Sequence, residues 1–271
     1  MVKVIDQKIH ELRGDLKQIL QRLQLFTHRI AHGDLGRILA DLRDRIEEPF
    51  MFVIVGEVKS GKSSFINALL EEPDLCAVAP SPMTDTIQQI MYGETFRIEE
   101  ISPYLKRVFQ PNQILKDIAI VDTPGTNTII THHQEITERF IPGADLIIFV
   151  FEAKNPYRQS AWDFFNFMHE GWHKKIIFIL QQKDLLDQSD LDINMKGIQD
   201  HAQKKGIKNP VIFAVSAKEE LLGLQNQSGF EPLRKYILEQ ITGGNAQEQK
   251  LISISETTIH LLSKLKDGLG L

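Results

Sequence analysis

Residues 50–70 read FMFVIVGEVKSGKSSFINALL, and this stretch decides the fold. The apolar run from Phe50 to Val55 is typical of a strand that is buried on both faces. It leads into Gly56 to Ser63, GEVKSGKS, which fits the pattern G-x-x-x-x-G-K-[ST], and then into the apolar helical face of residues 65–70. A strand, a glycine-bounded loop and a helix are the context that this motif requires. The sequence therefore predicts a polyphosphate site at the start of this helix.

The loop from Gly56 to Ser63, the phosphate loop, supplies most of the predicted contacts with the polyphosphate. Its backbone N–H groups point into a concavity that suits an anion. Lys62 is predicted to reach the β- and γ-phosphates, and the Ser63 hydroxyl is predicted to bind Mg²⁺. Lys59 lies inside the loop, where its ammonium either supplies a catalytic positive charge or faces solvent. The predicted nucleotide-binding residues of this loop are Gly56, Glu57, Val58, Lys59, Ser60, Gly61, Lys62, Ser63 and Ser64.

The composition indicates a globular protein in a reducing compartment. The chain has 271 residues, 42% of them hydrophobic, and a formal net charge of −5. This charge argues against non-specific binding to nucleic acid. Cys76 is the single cysteine, so no internal disulfide can form. The first residues are too polar for a secretory signal, and no apolar run reaches the ~20 residues that span a bilayer. We therefore expect a cytoplasmic protein.

The pattern of apolar residues divides the chain into three segments. Residues 1–48 form a predicted helical neck segment, residues 49–242 a nucleotide domain, and residues 246–271 a second neck helix. The first segment carries a heptad seam made by Ile5, Ile9, Leu12, Leu16, Ile19, Leu23, Phe26 and Ile30. The last carries a similar register at Leu251, Ile254, Thr258, Leu261 and Leu265. Either the two neck segments pair with each other, or the first packs on its own domain as an ordinary helix.

The central segment alternates strands and helices. Besides the first strand, the sequence predicts buried parallel strands at 118–121, 146–151, 175–180 and 211–215, and an antiparallel edge strand at 87–92. Helices are predicted at 134–140, 157–170, 190–205 and 230–240. This alternation predicts an α/β domain whose mostly parallel sheet is covered by helices on both faces. Ligands then bind in the loops at the carboxyl ends of the strands.

Two of these loops carry candidate residues for metal binding and water positioning. Asp122 follows a predicted strand, so its carboxylate can hold Mg²⁺ directly or through water. Gly125 has a backbone N–H that can approach a γ-phosphate with no side chain in the way. Thr84, in the loop-like stretch 71–88, is predicted to bind Mg²⁺ and to orient the attacking water through its carbonyl, with Thr86 as the alternative.

Two later loops carry candidate residues for recognition of the base. Asp184 can accept hydrogen bonds from the N1 and N2 donors of guanine, an edge that adenine lacks. A buried carboxylate left unpaired by the wrong base disfavours that base. The second loop can offer a backbone N–H to the guanine O6. The predicted base-binding residues are Gln182, Lys183, Asp184, Ser216, Ala217 and Lys218.

Together these motifs resemble the GTPases of the translation-factor class of P-loop proteins, and within that class bacterial dynamin-like proteins related to dynamin and mitofusin. The shared motifs are GEVKSGKS, a threonine in a mobile loop, DTPG, a variant guanine loop and SAK, and Pro82-Met83-Thr84 resembles their switch loop. The resemblance covers residues 50–241. It implies hydrolysis of GTP to GDP and phosphate with Mg²⁺ and dimerisation across the nucleotide. It also implies remodelling or fusion of membranes by a protein located at the inner face of the membrane.

The sequence departs from the family at the guanine loop, which is usually Asn-Lys-x-Asp. Here Gln181 replaces the asparagine that ties the loops together, and Gln182 replaces the lysine that lies along the base. We expect guanine preference with reduced affinity, because Asp184 is kept. No glutamine follows Gly125, so we expect the backbone of Thr84 and switch loops ordered by a partner to position the water. The chain is either a short relative or a fragment of a longer protein.

Two other functions share these nucleotide motifs. A ribosome- or RNA-associated assembly GTPase would need a basic appendage, whereas the terminal helices here carry balanced charge. A GTP-dependent scaffold with little hydrolysis would use the helices as its working surface. The expected partners are a guanine nucleotide, a second copy of the chain in the nucleotide-bound state, and a membrane or another dynamin-like protein. We expect no specific nucleic-acid partner.

Overall fold

In the computed structural model, the chain folds into two compact units. One unit consists of Met1–Glu48 and Lys235–Leu271, and the other of Pro49–Arg234. Thr84 lies outside the described residues, as does most of the predicted helix 134–140. The described residues are 7–29, 33–47, 49–73, 75–76, 86–125, 140–141, 144–168, 170–242, 250–252, 254–255, 258–259 and 262.

The first unit is helical. It contains α1 (Gln7–Arg29) and α2 (Gly33–Glu47). The buried face of α1 matches the predicted seam only in part, since Leu20 is buried while Ile19 is exposed. Leu12 and Phe26 of the predicted seam are exposed as well, and Leu16 and Leu23 pack against the core. The buried members of this core are Leu20, Leu35, Leu39, Leu42, Ile46, Leu251 and Ile254. Within the described part of the chain, no helix combines the length and apolarity needed to cross a membrane.

The second unit is built on an eight-stranded sheet. Its strands are β1 (Phe50–Gly56), β2 (Ile87–Tyr92), β3 (Arg97–Ser102), β4 (Leu105–Gln110), β5 (Ile118–Asp122), β6 (Leu146–Glu152), β7 (Ile176–Gln181) and β8 (Val211–Val215). They lie in the order β3-β4-β2-β5-β1-β6-β7-β8. The run from β5 to β8 is parallel throughout. The predicted α/β class with a mostly parallel sheet is confirmed.

One strand prediction was wrong in part. β2 pairs antiparallel with β5, as expected, but it is not an edge strand, because β4 pairs with its other side in parallel. β3 and β4 were not predicted. Their sequences, RIEEIS and LKRVFQ, mix charged and apolar residues, and β3 at the sheet edge buries none of its side chains. Strands that bury little apolar surface carry a weak periodic signal.

Helices lie between and after these strands in the chain. After α3 (Lys62–Leu69) come α4 (Gln159–Asp163), α5 (Gln188–Lys204), α6 (Ala217–Leu221), α7 (Gln225–Ser228) and α8 (Phe230–Thr242), which belongs to the first unit from Lys235 on. The predicted helix 157–170 is instead α4 followed by 3₁₀ turns at Phe164–Phe167 and Glu170–Lys175. Trp162, Phe164 and Phe165 of this stretch are buried in the core, and the Trp162 and Phe165 rings lie 5.3 Å apart and stack on Phe151 and Phe149, respectively.

The parallel register brings the phosphate loop, the Asp122 loop and the two base loops to the same side of the sheet, at the carboxyl ends of the parallel strands. Strand ends of the same polarity meet at the same edge. There, the paired residues on neighbouring strands are Ile54 with Asp122, Gly56 with Val150, Glu152 with Gln181, and Gln181 with Val215.

Candidate functional site

The phosphate loop connects β1 to α3 through a strained turn. Gly61, immediately before α3, has φ 88°, which glycine adopts without steric cost. Lys59 has φ 68°, an uncommon conformation for a residue with a side chain. Lys62 Nζ donates to the carbonyl oxygens of Gly56 at 2.9 Å and of Glu57 at 2.8 Å. The ammonium therefore lies inside the curve of the loop.

Lys62 is buried near two carboxylates of opposite charge. Burial lowers the pKa of its ammonium, while the carboxylates of Asp122 and Glu57 raise it. Those two carboxylates therefore lie close enough to act on Lys62 electrostatically. An ammonium held by backbone carbonyls and flanked by carboxylates is positioned to meet a phosphate together with a metal ion.

Asp122 has the environment of a metal ligand. Its side chain is buried, and among the described residues its Oδ1 atom has no hydrogen-bond partner. Burial raises the pKa of this carboxyl from 3.8 to about 6, against the lowering effects of Lys62 and of the Thr123 N–H. The Thr123 hydroxyl donates to Ile54 O at 2.7 Å and fixes the end of β5 beside β1. A buried carboxylate oxygen of this kind needs a cation or a donor.

The residues present fit Mg²⁺. Ser63, in the first turn of α3, and Asp122 carry hard oxygen atoms of the kind that this ion prefers as ligands. The described residues contain no group of three or more His, Cys, Asp or Glu side chains placed to hold a metal. Such a cage is not required, because Mg²⁺ at a nucleotide site takes most of its ligands from phosphates and water.

Gly125 packs directly against the phosphate loop. A Cβ atom at this position would overlap the backbone nitrogen and the side chain of Val58. Only glycine therefore allows the Asp122–Gly125 segment to lie this close to the phosphate-binding backbone. The proximity is compatible with the predicted role of the Gly125 N–H at a γ-phosphate, which remains a prediction.

Gln181 ties three loops together despite replacing the usual asparagine. Its side chain is buried, and its Oε1 atom accepts from the backbone N–H groups of Gln182 at 2.5 Å and Ala217 at 3.2 Å. A Cβ on Gly61 would lie 2.9 Å from its Nε2 atom. The longer glutamine thus contacts both base loops and the phosphate loop.

The structure brings Asp184 and the Ser216–Lys218 loop together. The Asp184 side chain is 12% exposed, and Lys218 Nζ lies 3.8 Å from its Oδ2 atom. The Ser216 hydroxyl accepts from the Glu219 N–H at 3.1 Å and caps α6. Gln182, where the family has lysine, adopts φ 69°. The two predicted base loops therefore lie next to each other, and their binding of a base stays a prediction.

Two residues that the sequence did not single out support this region. Asn67 in α3 is fully buried; its Oδ1 accepts from the Cys76 N–H at 2.7 Å, and its Nδ2 donates to Pro73 O at 2.7 Å. It anchors the chain at Pro73 and Cys76, which precede Thr84 in the sequence. Arg158, after β6, forms ion pairs with Glu57 and Glu152. The position of Asn67, five residues after the motif lysine, can be read from the sequence. The contacts of Arg158 depend on the fold and cannot be read in this way.

The sequence is similar to those of several known proteins. The sequence profile described as the Dynamin family matches residues 52–106 and 97–183. The chain is 38% identical over 191 residues to "Probable transmembrane GTPase FZO-like, chloroplastic" of Arabidopsis thaliana, an alignment that covers 68% of this chain and 21% of that protein. It is 28% identical over 129 residues to "Dynamin-like protein A" of Bacillus subtilis (strain 168), covering 45% of this chain and 11% of that protein.

A solved structure has the same fold. It belongs to an oligomerised bacterial dynamin pair described in connection with the sensing and tethering of membranes, and it superposes with a TM-score of 0.65 at 18% identity. The superposition covers 100% of this chain and 58% of that chain. The chain thus spans only part of the length of each of these proteins.

Proposed function

This chain belongs to the dynamin family, and from that premise we propose that it hydrolyses GTP to GDP and phosphate and couples the reaction, through dimerisation and its neck segments, to membrane remodelling. One observation supports this best: the buried Asp122 oxygen that has no described partner belongs to a carboxylate within electrostatic reach of Lys62 in the phosphate loop. A buried charge of this kind opposes folding and is kept where a bound cation requires it.

Each part of the site has a role in the proposed reaction. The backbone N–H groups of residues 56–64 and the Lys62 ammonium hold the phosphates, and Ser63 with Asp122 holds the metal. Mg²⁺, when bound, neutralises charge that develops on the phosphate oxygens. Gly125 places its N–H towards the γ-phosphate, and Thr84 orients the attacking water. Asp184 selects guanine, and Ser216–Lys218 supports the base.

The experiment that tests this function measures phosphate release against protein concentration, with GTP and with ATP. We expect turnover with GTP only, at a specific activity that rises with concentration, because a partner copy orders the loops around the nucleotide. Activity that is stimulated by liposomes but not by ribosomal RNA supports membrane coupling. Binding of GTP without phosphate release at any concentration would identify a scaffold, and equal turnover of ATP would contradict the proposal.

Lys59 is the proposed source of the positive charge that stabilises the transition state. Its side chain is exposed at the tip of the phosphate loop, beside Ser60 and Gly61. We expect Lys59→Ala to lower turnover at saturating GTP by about 10³-fold, the lower end of what a well-placed cation contributes. GTP affinity should change little. Single-turnover phosphate release and calorimetry separate these two quantities.

The control for Lys59 is Lys208→Ala, which removes an exposed lysine from the loop before β8. This variant should retain the wild-type rate. If Lys59→Ala also retains it with normal nucleotide binding, Lys59 faces solvent and has no part in the chemistry.

A further inference from the structure

Arg158 links the phosphate loop to the end of β6. Its Nη1 atom lies 3.3 Å from Glu57 Oε2, and its Nη2 atom lies 3.2 Å from Glu152 Oε2. Glu57 is the first residue after Gly56, and Glu152 is the last residue of β6. One guanidinium therefore bridges two carboxylates on neighbouring elements, a geometry suited to the fork of arginine.

Glu57 places a negative charge next to the lysine that should bind phosphate. Its side chain is 9% exposed, and its carboxylate acts electrostatically on Lys62. The Glu57 carbonyl also accepts from Lys62 Nζ at 2.8 Å. A carboxylate this buried needs a charged partner. Arg158, 47% exposed, is such a partner and approaches from the surface.

We propose that Arg158 is a positioning residue of the nucleotide site: it holds the Glu57 carboxylate in an ion pair, so that the Lys62 ammonium stays available to the β- and γ-phosphates of GTP. Without Arg158, the Glu57 carboxylate competes with the phosphates for Lys62 and repels them. GTP carries one more phosphate than GDP, so the triphosphate loses more affinity than the diphosphate. The pair thereby sets the preference between the two nucleotides, an inference that rests on the proposed GTP binding.

The experiment compares Arg158→Gln, Glu57→Gln and the double variant by calorimetry with GDP and with a GTP analogue whose β–γ bridge resists hydrolysis. We expect Arg158→Gln to weaken the GTP analogue about tenfold and GDP about threefold. Adding Glu57→Gln should restore both affinities to within about twofold, because the competing charge is gone. Arg158→Lys, which keeps the charge, should stay within about threefold of wild type.

The matched control is Arg97→Gln on β3, at the far edge of the sheet. Arg97 is 50% exposed and pairs with Glu99 at 3.1 Å, so it resembles Arg158 in exposure and partner. It should leave both affinities unchanged. Loss of affinity in Arg158→Gln that Glu57→Gln does not relieve would overturn the positioning role. So would wild-type affinity in a correctly folded Arg158→Gln. Failure of the wild-type protein to bind any guanine nucleotide would instead refute the proposed function itself.

Discussion

Asp184→Asn is expected to exchange the base preference of the site from guanine to xanthine. In the proposed complex, the Asp184 carboxylate accepts from both the N1 and the N2 donors of guanine, whereas asparagine would offer one acceptor and one donor. Xanthine carries a carbonyl in place of the N2 amine, so it matches the asparagine. We expect GTP affinity to fall by about 10²–10⁴-fold and XTP to bind more tightly than GTP. A calorimetric panel with GTP, GDP, XTP and ATP measures this.

The control for this exchange lies three residues further along the chain. Asp187 accepts from the Asp190 N–H at 2.9 Å and caps α5, a role that asparagine fills equally well. Asp187→Asn should therefore leave the panel unchanged. If the wild-type protein binds ATP as tightly as GTP, or if Asp184→Asn keeps the affinity for GTP, Asp184 does not read the base.

The parallel half of the sheet could be predicted because its strands are continuous apolar runs. Ile147, Phe149 and Phe151 of β6 lie in the core and produce such a run, as expected for a strand covered on both faces. β3 could not be predicted in this way, since it lies at an edge and leaves Ile98 and Ile101 exposed. The prediction that β2 is an edge strand was wrong for a related reason, because its second neighbour, β4, had not been predicted.

Motif residues were predicted more completely than the side chains that support them. The phosphate loop and Asp122 follow from local spacing, and the structure brings them together at one sheet edge. Arg158 lies about a hundred residues from Glu57 in the chain, so its contact follows only from the pairing of β1 with β6. The reduced guanine affinity expected from Gln181 and Gln182 stays a prediction, and the fold adds that the Gln181 Oε1 atom accepts hydrogen bonds from both base loops.

The Asp122 carboxylate opposes folding at neutral pH. Burial raises the pKa of this group from 3.8 to about 6, despite the opposing effects of Lys62 and the Thr123 N–H. Between these pH values the folded chain binds more protons than the unfolded chain. The free energy of unfolding therefore falls as the pH rises through this window, and it stays lower above it. Two pKa units correspond to about 3 kcal/mol.

We therefore expect Asp122→Asn to stabilise the nucleotide-free protein by about 1–3 kcal/mol above pH 7, and the gain should vanish near pH 4. Asparagine has no charge to desolvate, and its carbonyl can still accept from the Thr123 N–H. The same change removes an anionic metal ligand, so the affinity for Mg²⁺–GTP should fall by about 10²-fold or more.

Thermal unfolding from pH 4 to 8 and calorimetry with Mg²⁺–GTP measure the two opposite effects of Asp122→Asn. Asp192→Asn, which alters an exposed carboxylate of α5, should change neither. Melting of Asp122→Asn at or below the wild-type temperature at pH 7.5 would contradict the desolvation argument. Unchanged Mg²⁺-dependent binding would remove Asp122 from the metal site. Stabilisation together with loss of binding would mean that this buried charge is retained for the metal, since the fold alone is better served by a neutral side chain.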